Sequence, residues 1–316
     1  MNSTLQLCPL TDFAILGISG PDTYKFLQGQ VTCDVSQIST DSSRLGAHCN
    51  PKGRMISNFL ACGLSGDHIG LRLHKDVLPA LQQSLGKYIV FSKAKLADHS
   101  NDYHVVGILG ENADNILTPY LGIALSATNQ AITTTAGTFI CLAPNRIECW
   151  LTADQLAALQ QQLGEQLTPA QQNDWLMAAI RAGIGEVYPQ TQGEWIPQML
   201  NYQLAEVNGV SFSKGCYTGQ EIVARMQYLG KLKRHMYRFQ APACPQPGAP
   251  LYSKDSNQSI GEIVMASQVG SDIECLASVT AAAVTANNIY LDEAHTQQLV
   301  NLPLPYALSA AINTST

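Results

Sequence analysis

The stretch of this chain richest in reactive side chains is Lys214-Gly-Cys-Tyr-Thr-Gly-Gln-Glu-Ile-Val-Ala-Arg-Met-Gln-Tyr-Leu-Gly230, and Cys216 is its one thiol. Thr218-Gly-Gln-Glu221 has the form of a capping box. In such a box the Thr218 hydroxyl accepts from an orphan N–H of the first helical turn, and the Glu221 carboxylate reaches back to the Thr218 N–H. Ile222, Met226 and Leu229 then fall on one helical stripe, Glu221 and Arg225 stand at i,i+4, and Gly230 follows as the stop. Cys216 is thereby set two residues ahead of a helix start, with Lys214 two residues earlier. Positive partial charge and a nearby ammonium favour the nucleophilic thiolate, so Lys214 and the Thr218 cap are expected to tune and position the thiol. Gly215 and Gly219 read as positions whose backbone conformation other residues avoid.

The segment is also basic. Lys214, Arg225, Lys231, Lys233, Arg234 and Arg238 fall within residues 214–238, against a single acid, Glu221. Such a surface suits a carboxylate, a phosphate or an RNA backbone. A cysteine near a helix start is more often merely packed, and a Lys-Leu-Lys-Arg run is commonly a solvated face. The coincidence of thiol, cations, glycines and capping pattern in one segment favours a site. The chain as a whole is acidic, with 18 Lys and Arg against 24 Asp and Glu, a net charge of −6. It is therefore not a general binder of polyanions.

Around this segment stand 316 residues, 46% of them apolar and only 13% charged. Such a chain buries a full core and has room for two or three domains. Nine cysteines without a CxxC pair argue against a disulfide framework and against a sequence-local zinc or iron–sulfur site, so no stably bound metal is expected. The start lacks a basic, apolar leader, and no stretch is long enough for a membrane span; a cytoplasmic location with no membrane partner is the expectation.

The clearest punctuation is Gln240-Ala-Pro-Ala-Cys-Pro-Gln-Pro-Gly-Ala-Pro250, which divides residues 1–240 from residues 241–316. Beyond it, β-like runs at 249–253, 259–266, 273–282 and 288–291 suggest a small antiparallel barrel or sandwich. The end after Pro305 reads as small, polar and frayed. Before the linker, strands are expected at 13–18, 55–63, 68–73 and 103–109. Helices are expected at 22–28 with Asp22 as N-cap, at 76–85 and at 153–163. The fold class is α+β with a β-rich tail.

Lys214-Gly-Cys-Tyr-Thr-Gly-Gln-Glu221 resembles the signature of the YgfZ family of folate-binding proteins, relatives of the glycine-cleavage aminomethyltransferase, the T-protein. Phe26-Leu-Gln-Gly-Gln-Val-Thr-Cys-Asp34, His48-Cys-Asn-Pro-Lys-Gly-Arg-Met55, Lys87-Tyr-Ile-Val-Phe-Ser-Lys93 and Ile196-Pro-Gln-Met-Leu-Asn201 are similar to segments of that family in the same order. The resemblance covers about residues 10–240. It implies three domains around a central funnel, the first two interleaved in sequence and the last a small β-barrel. It also implies a tetrahydrofolate or related folate in the funnel, beside the positions that match here as Phe13 and Trp175. Phe13 stands where a well-known relative has Trp, which keeps the stacking face and loses the indole donor. Each of the two is equally readable as a core aromatic. Lys52 and Arg54 are candidates for a basic rim, or else solvated turn residues.

The T-protein has a pair of acids after a glycine turn, and Ser57 and Asn58 occupy those places in Lys52-Gly-Arg-Met-Ile-Ser-Asn58. Neither can serve as a carboxylate base, which argues against aminomethyl transfer. Three functional readings follow. The first is a folate-binding factor that maintains iron–sulfur enzymes, such as a radical tRNA methylthiotransferase, and so acts on tRNA modification indirectly through Cys216. The thiol's role as nucleophile, redox group or transient cluster ligand stays open, as does that of Arg225, which either holds an anion or pairs with Glu221. The second is a folate-dependent one-carbon transferase. The third is an RNA-binding module; the net charge and the lack of an aromatic-rich RNA motif argue against direct tRNA binding.

Overall fold

The computed structural model describes residues 4–230 and 232–308. Lys231 of the basic segment, and most of the end expected to fray, lie outside the described residues. Three sheets organise the chain.

The first sheet to be completed along the sequence has five strands in the spatial order Arg44–Cys49, Met55–Ser65, His68–His74, Phe13–Ser19 and Lys95–Asp98, all antiparallel. Along the central strands, successive side chains alternate between its two faces. Ala14, Leu16 and Ile18 face one way with Ile69, Leu71 and Leu73, and they pack on Leu78, Leu81 and Leu85 of the helix Leu78–Ile89. Phe13, Ile15, Leu60 and Cys62 face the other way, toward a second sheet. Both faces are covered, so alternation sorts residues between two cores rather than between core and water.

The second sheet has six strands in the order Leu167–Pro169, Leu5–Pro9, His104–Leu109, Arg146–Leu151, Gly137–Ala143 and Ala131–Thr134. Its first strand thus precedes the whole of the five-stranded sheet in sequence, and its other strands follow it. Val106, Ile108, Ile147, Cys149 and Leu151 form a core with Ala113 and Leu117 of one helix and Leu159 and Leu163 of another. That second helix spans Ala153–Leu163, as its composition predicts, and starts with a true capping box: Gln155 N donates to Thr152 Oγ1 (3.4 Å) and Thr152 N to Gln155 Oε1 (2.8 Å).

The expected small β-barrel is a curled, five-stranded half-barrel sheet, in the order Pro250–Ser253, Ser256–Val269, Asp272–Thr280, Arg234–Gln240 and Val300–Leu302. Its first strand, Arg234–Gln240, lies ahead of the proline-rich stretch, which moves the start of this sheet before the division expected at 240/241. The run at 288–291 is not a strand; Tyr290 makes single bridges to Tyr252 and Gln298. Tyr306 does not fray either, since its hydroxyl donates to the Gly183 carbonyl at 2.6 Å. The helix near the start spans Thr23–Gln28, but Asp22 does not cap it; the Asp22 carboxylate accepts instead from Lys93 N at 2.7 Å.

Candidate functional site

The signature segment folds differently from its capping pattern. The helix spans Gln220–Tyr228, and Gly219, at φ +85°, stands at its N-cap. Thr218 is one residue too early to cap it. Its hydroxyl donates to Gln30 Oε1 (3.4 Å) and its N–H to the Gly29 carbonyl (3.2 Å). Glu221 and Arg225 form no ion pair among the described residues, so the expected i,i+4 link is absent there. The expected stripe is not the packed face: Val223 is buried, while Leu229 is 83% exposed.

The reason is a contact between backbones. A Cβ on Gly219 would lie 2.5 Å from the Asn50 carbonyl oxygen, and one on Gly53, at φ +70°, would lie 2.9 Å from Ile222 Cβ. Asn50 closes the second turn itself, its side-chain oxygen accepting from Lys52 N (2.9 Å) and Arg54 N (3.1 Å). The segments Asn50-Pro-Lys-Gly-Arg54 and Lys214–Glu221 are therefore one unit, and two left-handed glycines permit the approach. Gly215 needs no such freedom: it has open space around its Cα and no positive φ, which corrects the expectation for that residue.

Lys214 does not point its ammonium into solvent. Buried, it donates to the Val31 carbonyl (2.6 Å) and the Cys33 carbonyl (2.8 Å) and lies 5.2 Å from the Tyr217 ring centre. Burial lowers its pKa to about 8, against the opposing pull of Cys33 and Asp34. Its donors are spent on the 31–33 backbone, so it anchors the segment rather than acting as a free cation for the thiol. Cys216, between these two anchors, is exposed. Cys244 is the other exposed thiol, and seven are buried. Burial pushes Cys33 and Cys141 up to about 11 and Cys8, Cys49 and Cys62 up to about 12. Lys52 is exposed on its turn, while the Arg54 guanidinium donates to the carbonyls of Gly193 (3.4 Å) and Glu194.

A second polar centre lies between the sheet of residues 13–98 and the six-stranded sheet. Phe13 and Trp175 do meet in one core cluster, but Trp175 is only 2% exposed and rests on the backbone of Gly107. The guanidinium of Arg72 lies 4.5 Å from the Phe13 ring centre, and that of Arg146 lies 4.8 Å from the Trp175 ring centre. Both aromatics are therefore buried walls, each with a cation on one face. Arg72 bridges two carboxylates, donating to Glu148 Oε1 and Glu186 Oε1 at 2.9 Å each. Those charges hold its pKa above the ordinary arginine value in spite of burial.

Asn58 completes this centre. Its amide donates to Glu186 Oε2 (2.6 Å) and its oxygen accepts from Val187 N (2.7 Å). An ionised carboxylate in this place would face Glu186, so the amide is what the local charge requires. Ser57, by contrast, is fully buried, and its hydroxyl has no partner among the described residues.

Arg72, Arg146, Glu148 and Glu186 escape sequence reasoning. A signal exists in hindsight: Arg72 alternates with Leu71 and Leu73, and Arg146 and Glu148 alternate with Ile147 and Cys149, in strands whose every position is buried or nearly so.

Residues 1–148 match the GCVT N-terminal domain family. The tRNA-modifying protein YgfZ of Pectobacterium carotovorum is 33% identical over 318 residues, covering 97% of this chain and 94% of its own length. That of Photorhabdus laumondii is 33% identical over 314 residues, covering 96% and 93%. Among solved structures, aminomethyltransferase T of the Bartonella henselae glycine cleavage system superposes with a TM-score of 0.74 over 97% of this chain and 86% of its own, at 13% identity. That likeness is one of fold. With this sequence match over nearly the full length of both chains, the protein belongs to the YgfZ family and has the fold of the glycine cleavage T-protein.

Proposed function

We propose that this chain is a folate-binding protein that supports iron–sulfur enzymes of tRNA modification, with Cys216 as its working thiol. The observation that carries the proposal is the setting of Cys216. It is exposed on a segment held from one side by Lys214 and from the other by the Gly53–Gly219 contact. A thiol presented on a fixed backbone suits transient exchange with a partner protein better than a mobile one would. The names of the relatives point to tRNA modification, and a cytoplasmic location follows from such partners.

The central cluster fits a folate. Phe13 and Trp175 supply walls for a flat ring, and Arg146 Nε and Glu148 Oε2 are buried polar atoms without a partner among the described residues. Arg146, Glu148 and the two aromatics would hold the ring, and the folate would supply a one-carbon or redox-active pterin. The one-carbon transferase reading is disfavoured by Asn58, whose two hydrogen bonds make it a clamp on Glu186 and Val187 rather than a base.

The test is complementation of a strain lacking the protein with Cys216→Ser. The variant is expected to fold and bind tetrahydrofolate as the natural chain does, yet to leave methylthiolated tRNA unrestored. Full restoration by a thiol-free position 216 overturns the role of Cys216. A variant that fails to fold would make it a packing residue.

A further inference from the structure

The charges of the central cluster do not close on one another. Arg72 is shared by two carboxylates, whereas Arg146 forms no ion pair among the described residues. Arg146 is only 7% exposed, and its Nε–H is buried without a partner. Two residues along the same strand, and so on the same face, Glu148 accepts from Arg72 Nε and Trp150 Nε1 (2.8 Å) through Oε1 alone. Its Oε2 is buried and unpartnered. A donor and an acceptor are thus both left unsatisfied on one face beside Trp175, although buried polar atoms are nearly always paired. Neither belongs to the signature segment.

We infer that Arg146 is the specificity-determining cation of the central cluster: its guanidinium, lying on Trp175, takes the ring carbonyl of a flat heterocyclic ligand, and Glu148 takes the neighbouring ring N–H. This rests on the folate reading and adds to it which residue reads the ring. The ring end is favoured over the glutamate tail of a folate on charge. Arg72 is already shared by Glu148 and Glu186, and the unpartnered Glu148 Oε2 stands on the same face as Arg146, so a tail carboxylate on Arg146 would meet an anion that has no donor to offer it. A lactam edge is neutral and offers an acceptor and a donor side by side, which is the complement of a guanidinium and a carboxylate oxygen. A site built this way rejects ring analogues that lack the carbonyl, because the guanidinium would stay unpaired.

The experiment is a calorimetric titration of the natural chain, Arg146→Met and Arg146→Gln with three probes: tetrahydrofolate, 6-methyltetrahydropterin (the ring without the tail) and p-aminobenzoylglutamate (the tail without the ring). Both variants are expected to fold, since removing an unpaired buried cation relieves its desolvation. Arg146→Met is expected to weaken tetrahydrofolate and the pterin by tenfold or more and to leave the tail probe unchanged, with Arg146→Gln between. Equal pterin affinity in the natural chain and both variants overturns the inference while the folate reading stands. Loss confined to the tail probe also overturns it. A folded natural chain that binds none of the three overturns the folate reading, and the inference with it.

Discussion

The signature segment and the central cluster solve opposite problems. In the signature segment, residues contiguous in sequence are fixed by backbone, through Gly53, Gly219 and the carbonyls that Lys214 holds, and the Cys216 thiol is left outside. In the central cluster, residues from four separate segments are fixed by side chains, through Arg72, Asn58 and two glutamates, and unpartnered polar atoms are left inside. The lesson is that a contiguous motif here marks a backbone constraint. The buried polar groups of the central cluster are scattered and carry no motif.

The contrast can be broken most strongly at Arg72. Arg72→Met strips the partner from two buried carboxylates and is expected to destabilise the chain by about 3–5 kcal/mol in denaturant melts. A loss below about 1 kcal/mol would show that water reaches the cluster. The backbone side is tested by a pair of glycines. Gly219→Ala is expected to cost roughly 2–3 kcal/mol through strain at positive φ and collision with the Asn50 carbonyl. Gly215→Ala should stay within about 0.5 kcal/mol. Equal effects would remove the interlock as the reason for the motif.

Lys214→Met separates anchoring from charge. The folded pKa of Lys214, about 8, lies below the unfolded value of about 10.4. Between these values the unfolded state binds more protons than the folded one, so the contribution of Lys214 to stability rises with pH across that window. The difference in stability between the natural chain and Lys214→Met should therefore be larger at pH 10 than at pH 7. A difference that shrinks with pH would mean the lysine stays charged in the folded state. The smallest effect belongs to Cys216. Cys216→Ser should change stability by less than about 0.5 kcal/mol, and iodoacetamide at pH 8 should label Cys216 before any other thiol, as mass spectrometry would show.

Much of this was legible before any coordinates. The apolar run of the strand Met55–Ser65 and the helix-forming run Ala153–Leu163 are local signals, and they held because local preference and tertiary packing agree there. The Thr218 box failed for a physical reason. Thr152 and Thr218 have similar patterns, but a glycine follows Thr218, and its left-handed conformation delays the helix by a residue. Asn58 was legible as a departure from the acidic pattern, yet its purpose depends on Glu186, which only folding brings beside it. The same holds for Arg146, whose neighbour Trp175 is distant in sequence and is brought against it only by folding.

The insertion of the five-stranded sheet between the first strand and the remainder of the six-stranded sheet bears on synthesis. Leu5–Pro9 leaves the ribosome well before its partners, His104–Leu109 and Leu167–Pro169. At 5–20 residues per second the last of them emerges roughly 10–30 s later. Residues 13–98 complete a sheet of their own within that interval, while Leu5–Pro9 waits as an unpaired, apolar edge. The nascent chain therefore carries an unpaired strand through this interval, which is when a holding chaperone would matter most.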